Sequence, residues 1–416
     1  MPTSWSHRFA QRTKGVTSSA IRELLKWTQR PDVISFAGGL PAPEVFPCEE
    51  FRAACDHVLD TAGASALQYS TTEGYLPLRD YLAQRMARYG IVANAENVLI
   101  TSGSQQALDL IAKLLINRGE RLLVEAPTYL GAMQAFNVFG AEYVTVETDD
   151  DGLRTDQLEE ALRSGPKFMY ILPNFQNPSG VTLSRKRREE LVLLADKYGI
   201  PLIEDDPYGQ LRYEGEHLPP LLVLDRDNVK RDDGYLLGNV IYLSTFSKTL
   251  APGLRLGWIV APPDVIAKLV QLKQGADLHT STFTQMVAYE VVKSGFLDEH
   301  VKHIREVYRE RRDVMLASMA ENFPAGVTWT RPHGGLFLWV TLPEGMDSHD
   351  LLKRALQQNV AFVPGDSFYP PGISDCRHLR LNFSNARPEM IREGVRRLGA
   401  AIQAKLEKGI PAAVHA

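Results

Sequence analysis

Cysteine is rare in this chain, whose 416 residues include only Cys48, Cys55 and Cys376. Their number is odd and no C-x-x-C spacing with nearby histidines occurs, so the sequence predicts a reducing compartment and no bound metal. The N-terminus lacks the apolar segment of a secretory signal, and no run of about 18 apolar residues appears. We therefore expect a cytoplasmic protein without a membrane partner.

A strong charge of one sign is also absent, because 46 Lys and Arg residues face 50 Asp and Glu residues and the formal net charge is −4. Such a balance gives no electrostatic footprint for nucleic acid. The chain has no Walker loop and no G-x-G-x-x-G motif, which argues against a nucleoside triphosphatase or a dinucleotide enzyme. Small molecules are the partners that remain favoured.

The middle of the chain alternates between short apolar strands and amphipathic helices. Strands are predicted at 97–101, 121–125, 168–172, 201–205, 240–243 and 256–260. This pattern is typical of an α/β fold with a mostly parallel sheet that is covered by helices, in which ligands bind beyond the carboxyl ends of the strands. Further on, a charged helix at 296–322, whose charges including Arg311 we expect in solvent, and strands at 328–342, 360–364 and 378–383 predict a smaller α+β unit. We divide the chain into an N-terminal arm (1–45), a large domain (46–295) and a small domain (296–416).

Lys248 follows one of these strands and is the residue around which the rest is best understood. A buried ammonium without a partner costs several kcal/mol, roughly, unless its pKa falls or it becomes covalently bound. A Schiff base with an aldehyde cofactor would remove that cost. The alternative interpretation is a solvated loop lysine.

Polar residues also follow the other strands. Ser104 and Gln105 stand after Gly103 between a strand and a helix, where backbone N–H groups favour an anion such as phosphate, although a simple helix cap has the same appearance. Asp205 ends an apolar strand and needs a cationic partner. Tyr208 follows it, and the pair is open to a second interpretation as a capping aspartate with a core tyrosine.

A lysine, an aspartate for a pyridine nitrogen, hydroxyls with an arginine for a phosphate and an asparagine for a phenolate oxygen make a complete pyridoxal phosphate site. On these residues the chain resembles the fold-type I aminotransferases, and within them the 2-aminoadipate and kynurenine group, closest to the bacterial 2-aminoadipate aminotransferases of lysine biosynthesis. The motifs that carry the resemblance are IRELL (21–25), FAGGLPAP (36–43), LQYS (67–70), TSGSQQ (101–106), FQNP (175–178), EDDPY (204–208), FSK (246–248), KQGADLH (273–279) and LR (379–380).

The resemblance implies a role for each cofactor residue. Lys248 would carry pyridoxal 5'-phosphate and move the proton, Asp205 would face the pyridine nitrogen, and Tyr208 would donate with Asn177 to the phenolate oxygen. Tyr129 would stack on the ring. The phosphate would be bound by Ser104, Gln105, Thr245, Ser247 and Arg255, and by Tyr69 from a second subunit. A homodimer with shared active sites follows from that last role.

For the substrate, the resemblance implies that Arg380 binds the α-carboxylate as a planar fork, beside Asn177 and the backbone of Gly39. Arg22 would meet a distal carboxylate, as in the 2-aminoadipate enzymes. The alternative for Arg22 is a solvated helix charge.

The predicted reaction moves an amino group between an L-amino acid and a 2-oxo acid such as 2-oxoglutarate. The expected donors are 2-aminoadipate and also glutamate, aromatic or branched amino acids. Two alternatives stay open on the same scaffold: an aromatic or branched-chain aminotransferase or β-lyase, and a cofactor-binding domain like those of transcription regulators. We expect no binding to nucleic acid, because no basic DNA-binding segment precedes the predicted domain.

Overall fold

The computed structural model describes residues 3, 5–13, 16, 32–229, 238–373 and 375–407. The predicted first helix, with Arg22, lies outside these residues. None of the helices in the described ranges is both long and apolar enough to cross a membrane.

The described elements alternate as the sequence pattern predicts. The strands are β1 Ile34–Ser35, β2 Val98–Thr101, β3 Arg121–Ala126, β4 Glu142–Asp149, β5 Gly152–Leu153, β6 Met169–Ile171, β7 Leu202–Asp205, β8 Val240–Thr245, β9 Gly257–Val260, β10 Thr328–Trp329, β11 Phe337–Thr341, β12 Val360–Ala361, β13 Val363–Pro364 and β14 His378–Asn382. The helices are α1 Cys48–Ala66, α2 Leu76–Met86, α3 Ser104–Leu115, α4 Leu130–Asn137, α5 Thr155–Arg163, α6 Arg185–Tyr198, α7 Leu221–Val229, α8 Pro263–Asp277, α9 Thr282–Val292, α10 Phe296–Asn322, α11 Ser348–Gln357 and α12 Pro388–Glu407.

Side-chain caps fix where some of these helices begin. Asp347 precedes α11, and its carboxylate accepts hydrogen bonds from the backbone N–H groups of His349 and Asp350 at 2.7 and 3.1 Å. Ser281 precedes α9, and its hydroxyl accepts from the N–H of Thr284. Each cap satisfies a backbone donor that has no partner within its own helix.

Eight strands form the large sheet, in the order β2-β9-β8-β7-β6-β3-β4-β5. The neighbours from β8 to β4 are parallel, whereas β9 runs antiparallel to both β2 and β8. The predicted mostly parallel sheet is confirmed. The apolar pattern did not reveal β4, because this strand is mostly half-exposed and carries polar residues such as Glu142 and Thr145.

The core lies on both faces of the large sheet. Leu202 and Ile203 are neighbours in β7, yet they belong to two different clusters of buried side chains, because successive residues of a strand point to opposite faces. One cluster includes Leu191 of α6 and the other Leu108 of α3. Helices therefore cover both faces, and the functional groups are left to the strand ends.

The smaller unit is built on the antiparallel sheet β10-β11-β14-β13. The strand predicted at 328–342 is in fact two strands, β10 and β11, which pair with each other across a turn. The strand predicted at 360–364 is also divided, because β12 pairs with β1 and β13 pairs with β14.

The described end of the predicted N-terminal arm, residues 32–45, packs with this smaller unit. Tyr308 of α10 accepts a hydrogen bond from the N–H of Ala42 at 3.1 Å, and the Ser384 hydroxyl donates to the carbonyl of Leu40 at 2.8 Å. Glu44 forms an ion pair with Arg311, which also donates to the carbonyl of Ser384. Arg311 is therefore buried, and its placement on a solvated face was wrong. The three-part division of the chain stays a prediction.

Candidate active site

A cavity of about 310 Å³ opens beyond the carboxyl ends of β2, β3, β6, β7 and β8. This is the position that the open parallel sheet predicts for a ligand. Twelve of the predicted site residues line it: Gly39, Ser104, Gln105, Tyr129, Asn177, Asp205, Tyr208, Thr245, Ser247, Lys248, Arg255 and Arg380.

Lys248 stands in the turn after β8, with its side chain half-buried in the cavity wall. Its Nζ donates a hydrogen bond to the carbonyl oxygen of Gly39 at 2.8 Å. Burial lowers the pKa of Lys248 to about 8, and the positive charges of Arg380 and Arg255 act in the same direction. The amine can therefore be neutral near physiological pH, as a nucleophile or proton acceptor must be.

Asp205 is the last residue of β7 and is 2% exposed. Its Oδ2 accepts a hydrogen bond from the Tyr170 hydroxyl at 2.7 Å, while Oδ1 is buried without a partner among the described residues. Burial raises the pKa of Asp205 to about 7, the Tyr170 bond opposes this rise, and the charge of Asp206 adds to it. Oδ1 is therefore placed to accept a hydrogen bond from a cationic N–H in the cavity, such as that of a protonated pyridine.

The turn before α3 lies against the guanidinium of Arg255 in the cavity wall. Ser104 is the first residue of α3, and its buried hydroxyl has no hydrogen-bond partner in the part of the chain that the structure describes. Gly103 has φ +79°, and a Cβ there would lie 2.4 Å from a terminal nitrogen of Arg255, so only glycine lets the two approach. A helix N-terminus, a free hydroxyl and an arginine together suit a phosphate.

Three further predicted phosphate residues show how the cradle is shaped. Thr245 donates its hydroxyl proton to the carbonyl of Leu256 at 2.8 Å and accepts from the N–H of Ser247 at 3.1 Å. Its hydroxyl thus fixes the turn that carries Ser247. Gln105 donates from Nε2 to the carbonyl of Gly131 at 2.7 Å, which links α3 to α4.

Arg380 lies in β14 and is 1% exposed. Its guanidinium donates to Oδ1 of Asn177 at 2.7 Å and to the carbonyl of Ala37 at 2.6 Å, while its Nε has no partner among the described residues. The rings of Phe337 and Phe368 lie 4.4 and 4.9 Å from it. Burial lowers the pKa of Arg380 to about 10. Because none of the described carboxylates pairs with Arg380, the cavity is suited to an anion.

Two tyrosines complete the wall. Tyr208 is buried with its ring edge-to-face against Phe337 at a centroid distance of 5.9 Å, and burial raises the pKa of its phenol, which stays a hydrogen-bond donor. Tyr129 is half-buried, and burial followed by the charge of Asp205 raises its pKa as well. Both phenols are therefore neutral in the cavity.

Two predicted residues are not in this cavity. Tyr69 is 78% exposed, with its ring against His279 at 5.9 Å, and it does not line the cavity of its own chain. Arg22 lies outside the described residues.

Sequence reasoning missed Tyr170, Phe337 and Phe368. Tyr170 had a usable signal, because a phenol in an otherwise apolar buried strand needs a hydrogen-bond partner. The two phenylalanines had none, since an apolar residue in a strand or turn is ordinary core until its tertiary neighbour is known.

The fold and this cavity together define a fold-type I enzyme that uses pyridoxal phosphate. The chain belongs to the aminotransferase class I and II family, whose model matches residues 32–398. It is 47% identical to aromatic-amino-acid aminotransferase 1 of Thermococcus litoralis, over 96% of this chain and 95% of that one. It is 46% identical to the 2-aminoadipate transaminase of Thermus thermophilus, over 97% and 99% of the two chains.

A solved structure agrees with this assignment. The crystal structure of LysN, the alpha-aminoadipate aminotransferase of Thermus thermophilus, complexed with N-(5'-phosphopyridoxyl)-L-leucine, superposes with a TM-score of 0.90. The two chains are 43% identical over 98% of this chain and 100% of that one. The predicted family and fold class are confirmed.

Proposed function

We propose that this aminotransferase takes the amino group of L-2-aminoadipate, and also of glutamate and of aromatic or branched amino acids, and transfers it to a 2-oxo acid such as 2-oxoglutarate. One observation carries the proposal. Lys248, with a pKa of about 8, shares a cavity with Asp205, whose Oδ1 has no hydrogen-bond partner among the described residues, and with Arg380, whose Nε has none there either. These are the amine, the anion and the cation that amino-group transfer requires. A role in lysine biosynthesis belongs to the same proposal.

The cofactor is pyridoxal phosphate, and the residues present fit it. When bound, it supplies an aldehyde for the amino group and a ring that spreads the charge developing at the α-carbon. Lys248 would hold the aldehyde carbon, Asp205 the ring nitrogen, and the Ser104 turn with Arg255 and Ser247 the phosphate.

Arg380 binds the α-carboxylate in this proposal. Phe337 and Phe368 pack against its guanidinium, and its hydrogen bonds to Asn177 and Ala37 restrict its orientation. The orientation leaves Nε as a donor without an acceptor in the described part of the chain. A substrate carboxylate would accept charge-assisted hydrogen bonds from the guanidinium, and its negative charge would compensate the buried charge of Arg380.

Lys248 moves the proton. Burial lowers its pKa to about 8, so a fraction of the amine is neutral near physiological pH and would accept the proton of the substrate α-carbon. The carbonyl of Gly39 accepts a hydrogen bond from Nζ at 2.8 Å and so holds the amine at the cavity wall. With the cofactor bound, Asp205 would stay ionised, because a cationic ring N–H at Oδ1 would lower the carboxyl pKa.

The donor range rests on the relatives and on Arg22. The two relatives above are named for aromatic amino acids and for 2-aminoadipate, which suggests a pocket that accepts both kinds of side chain. In the described residues, the cavity wall beside Arg380 is apolar, with Leu40 and Phe337. Arg22 would supply the charge for a distal carboxylate.

A half-reaction screen tests the proposed function. Holoenzyme is mixed with single amino acids and no acceptor, and the loss of visible absorbance of the lysine-bound cofactor is followed. We expect 2-aminoadipate and glutamate to discharge it fastest, with the matching 2-oxo acid as product. Absorbance that no amino acid changes would refute a transaminase, and ammonia release without an acceptor would indicate a β-lyase.

We also propose a cytoplasmic homodimer in which Tyr69 reaches the partner's phosphate site. The exposure of Tyr69, away from its own cavity, supports this arrangement. Mixing inactive Lys248→Ala and Tyr69→Ala subunits should restore about a quarter of the activity, because half the dimers are hybrids and each hybrid has one intact site. Mixtures that regain nothing after subunit exchange would contradict shared sites.

A further inference from the structure

A second polar cluster lies directly behind the turn that leads into α3. Lys273 and Asp277 stand one helical turn apart near the end of α8, and the Lys273 side chain is 0% exposed. Its Nζ lies 2.6 and 2.7 Å from the two carboxylate oxygens of Asp277. Neither residue lines the cavity. None of the roles assigned above uses this pair.

The ion pair holds both ends of one side-chain amide. Gln106 donates from Nε2 to Asp277 at 2.6 Å and accepts from Lys273 at its Oε1, at 3.0 Å. The two charges thus fix the orientation of the Gln106 amide, with Nε2 toward Asp277 and Oε1 toward Lys273. With that orientation, Oε1 also accepts the backbone N–H of Ser102 at 2.8 Å, and the Ser102 hydroxyl donates to Asp277 at 3.2 Å.

Ser102 is the first residue of the 102–104 turn, which would bind the phosphate. It is followed by Gly103, which adopts positive and negative φ almost equally well, so the conformation of the turn depends on what holds its ends. Thr101 holds the inner side through a hydrogen bond from its hydroxyl to the carbonyl of Gly103 at 3.1 Å. The cluster of Ser102, Gln106, Lys273 and Asp277 holds the outer side.

Stability alone is a weak reason to bury this lysine. A buried ion pair is often no better for stability than apolar side chains of the same volume, because both charges lose their hydration. Its hydrogen bonds do, however, restrict geometry. The restricted element here is the turn that presents the free hydroxyl of Ser104 and the N-terminus of α3 to the cavity in the described chain.

We propose that Lys273 and Asp277 are positioning residues for the cofactor, which act through Gln106 and Ser102 to fix the 102–104 turn around the phosphate. The inference rests on the proposed function, because it takes the phosphate of pyridoxal phosphate as the ligand of the turn.

The test compares two ligands that differ only in the phosphate. Apoenzyme is titrated with pyridoxal phosphate and with pyridoxal, and each Kd is measured from the absorbance of the lysine-bound aldehyde. In Gln106→Met and Asp277→Asn, we expect the Kd for pyridoxal phosphate to rise by about tenfold to a hundredfold, the effect of losing a charged hydrogen bond. The Kd for pyridoxal should change less than about twofold.

The matched control is Asp109→Asn on α3 itself. Asp109 and Lys113 form an ion pair with the same spacing and a 2.6 Å contact, but on the outer surface of the helix. This variant should leave both Kd values unchanged. A merely structural pair would weaken both ligands equally or neither.

Gln106→Met decides the outcome, because it removes the amide and keeps the Lys273–Asp277 pair, so folding is not at risk from an isolated buried charge. A Kd for pyridoxal phosphate that is unchanged in Gln106→Met, or an equal loss for both ligands, overturns the positioning role. If the unmodified apoenzyme fails to bind pyridoxal phosphate, the proposed function falls instead.

Discussion

Replacing Asp205 by asparagine should change stability and catalysis in opposite directions. The amide has the same shape and can still accept the hydrogen bond from Tyr170. What it removes is a negative charge whose Oδ1 has no partner within the described chain. The carboxylate destabilises the apoenzyme, whereas the proposed mechanism needs it in the enzyme with bound cofactor.

The stability effect follows from the raised pKa. The difference between the ordinary value of 3.8 and about 7 corresponds to on the order of 4 kcal/mol. Below about pH 4 the carboxyl is protonated in the folded and unfolded chains alike, so parent and variant should be similar. Between about pH 4 and 7 it ionises mainly in the unfolded parent, which favours unfolding. Above about pH 7, apo Asp205→Asn should therefore be more stable than the parent by as much as that amount.

The catalytic effect has the opposite sign. In the proposed complex Asp205 would be one member of a buried ion pair with a ring N–H, and removing one member of such a pair costs about 3–5 kcal/mol. The value of kcat/KM should fall by about 10² to 10⁴. The cofactor should stay bound through Lys248 and the phosphate turn.

Urea unfolding of the apoenzymes at about pH 5 and about pH 8, with steady-state kinetics of the loaded enzymes, measures both effects. Asp206→Asn is the control, because Asp206 accepts hydrogen bonds from Asn174, Gly209 and Tyr242 and does not line the cavity. It should lose stability and keep its rate within about tenfold. An apo Asp205→Asn that is less stable than the parent at the higher pH would refute the desolvation argument.

Further substitutions separate the other roles. Lys248→Ala should abolish turnover and the visible absorbance of the bound cofactor, and normal steady-state turnover in this variant would exclude the mechanism. Arg380→Lys should raise KM about a hundredfold for every amino and 2-oxo acid, because a point charge replaces a fork that binds a carboxylate common to all of them; a loss confined to one substrate would remove Arg380 from that role. Arg22→Ala should impair 2-aminoadipate and glutamate much more than leucine or phenylalanine, and equal losses on all four would contradict a distal site.

The strand ends could be predicted from the sequence because their polar residues interrupt apolar runs. Asp205 and Lys248 were recognisable on that basis, and parallel strands bring their carboxyl ends to one edge whatever the loop details are. The polar and half-exposed β4 gave no such contrast and was missed. The apolar pattern of the sequence thus predicts a strand when the strand is fully buried, and it fails when the strand is half-exposed.

Contacts between distant parts of the chain could not be predicted. The ring contacts of Arg380 need Phe337 and Phe368, which are otherwise ordinary core residues. Arg311 looked solvated because its helix alternates charges, and its burial is explained by Glu44 and the carbonyl of Ser384, both far away in the sequence. Ion pairs and ring contacts of this kind depend on the tertiary arrangement, on which helical periodicity carries no information.

The antiparallel pairing of β2 with β9 has a consequence for how the molecule is made. Thr101 lies opposite Gly257, and β9 is the only neighbour of β2 in the described sheet. At roughly 5–20 residues per second, the ribosome needs on the order of ten seconds or more to deliver that partner. During this interval neither edge of β2 is paired within the described sheet, which invites pairing with other chains. We therefore expect a greater demand for chaperones until residue 260 emerges.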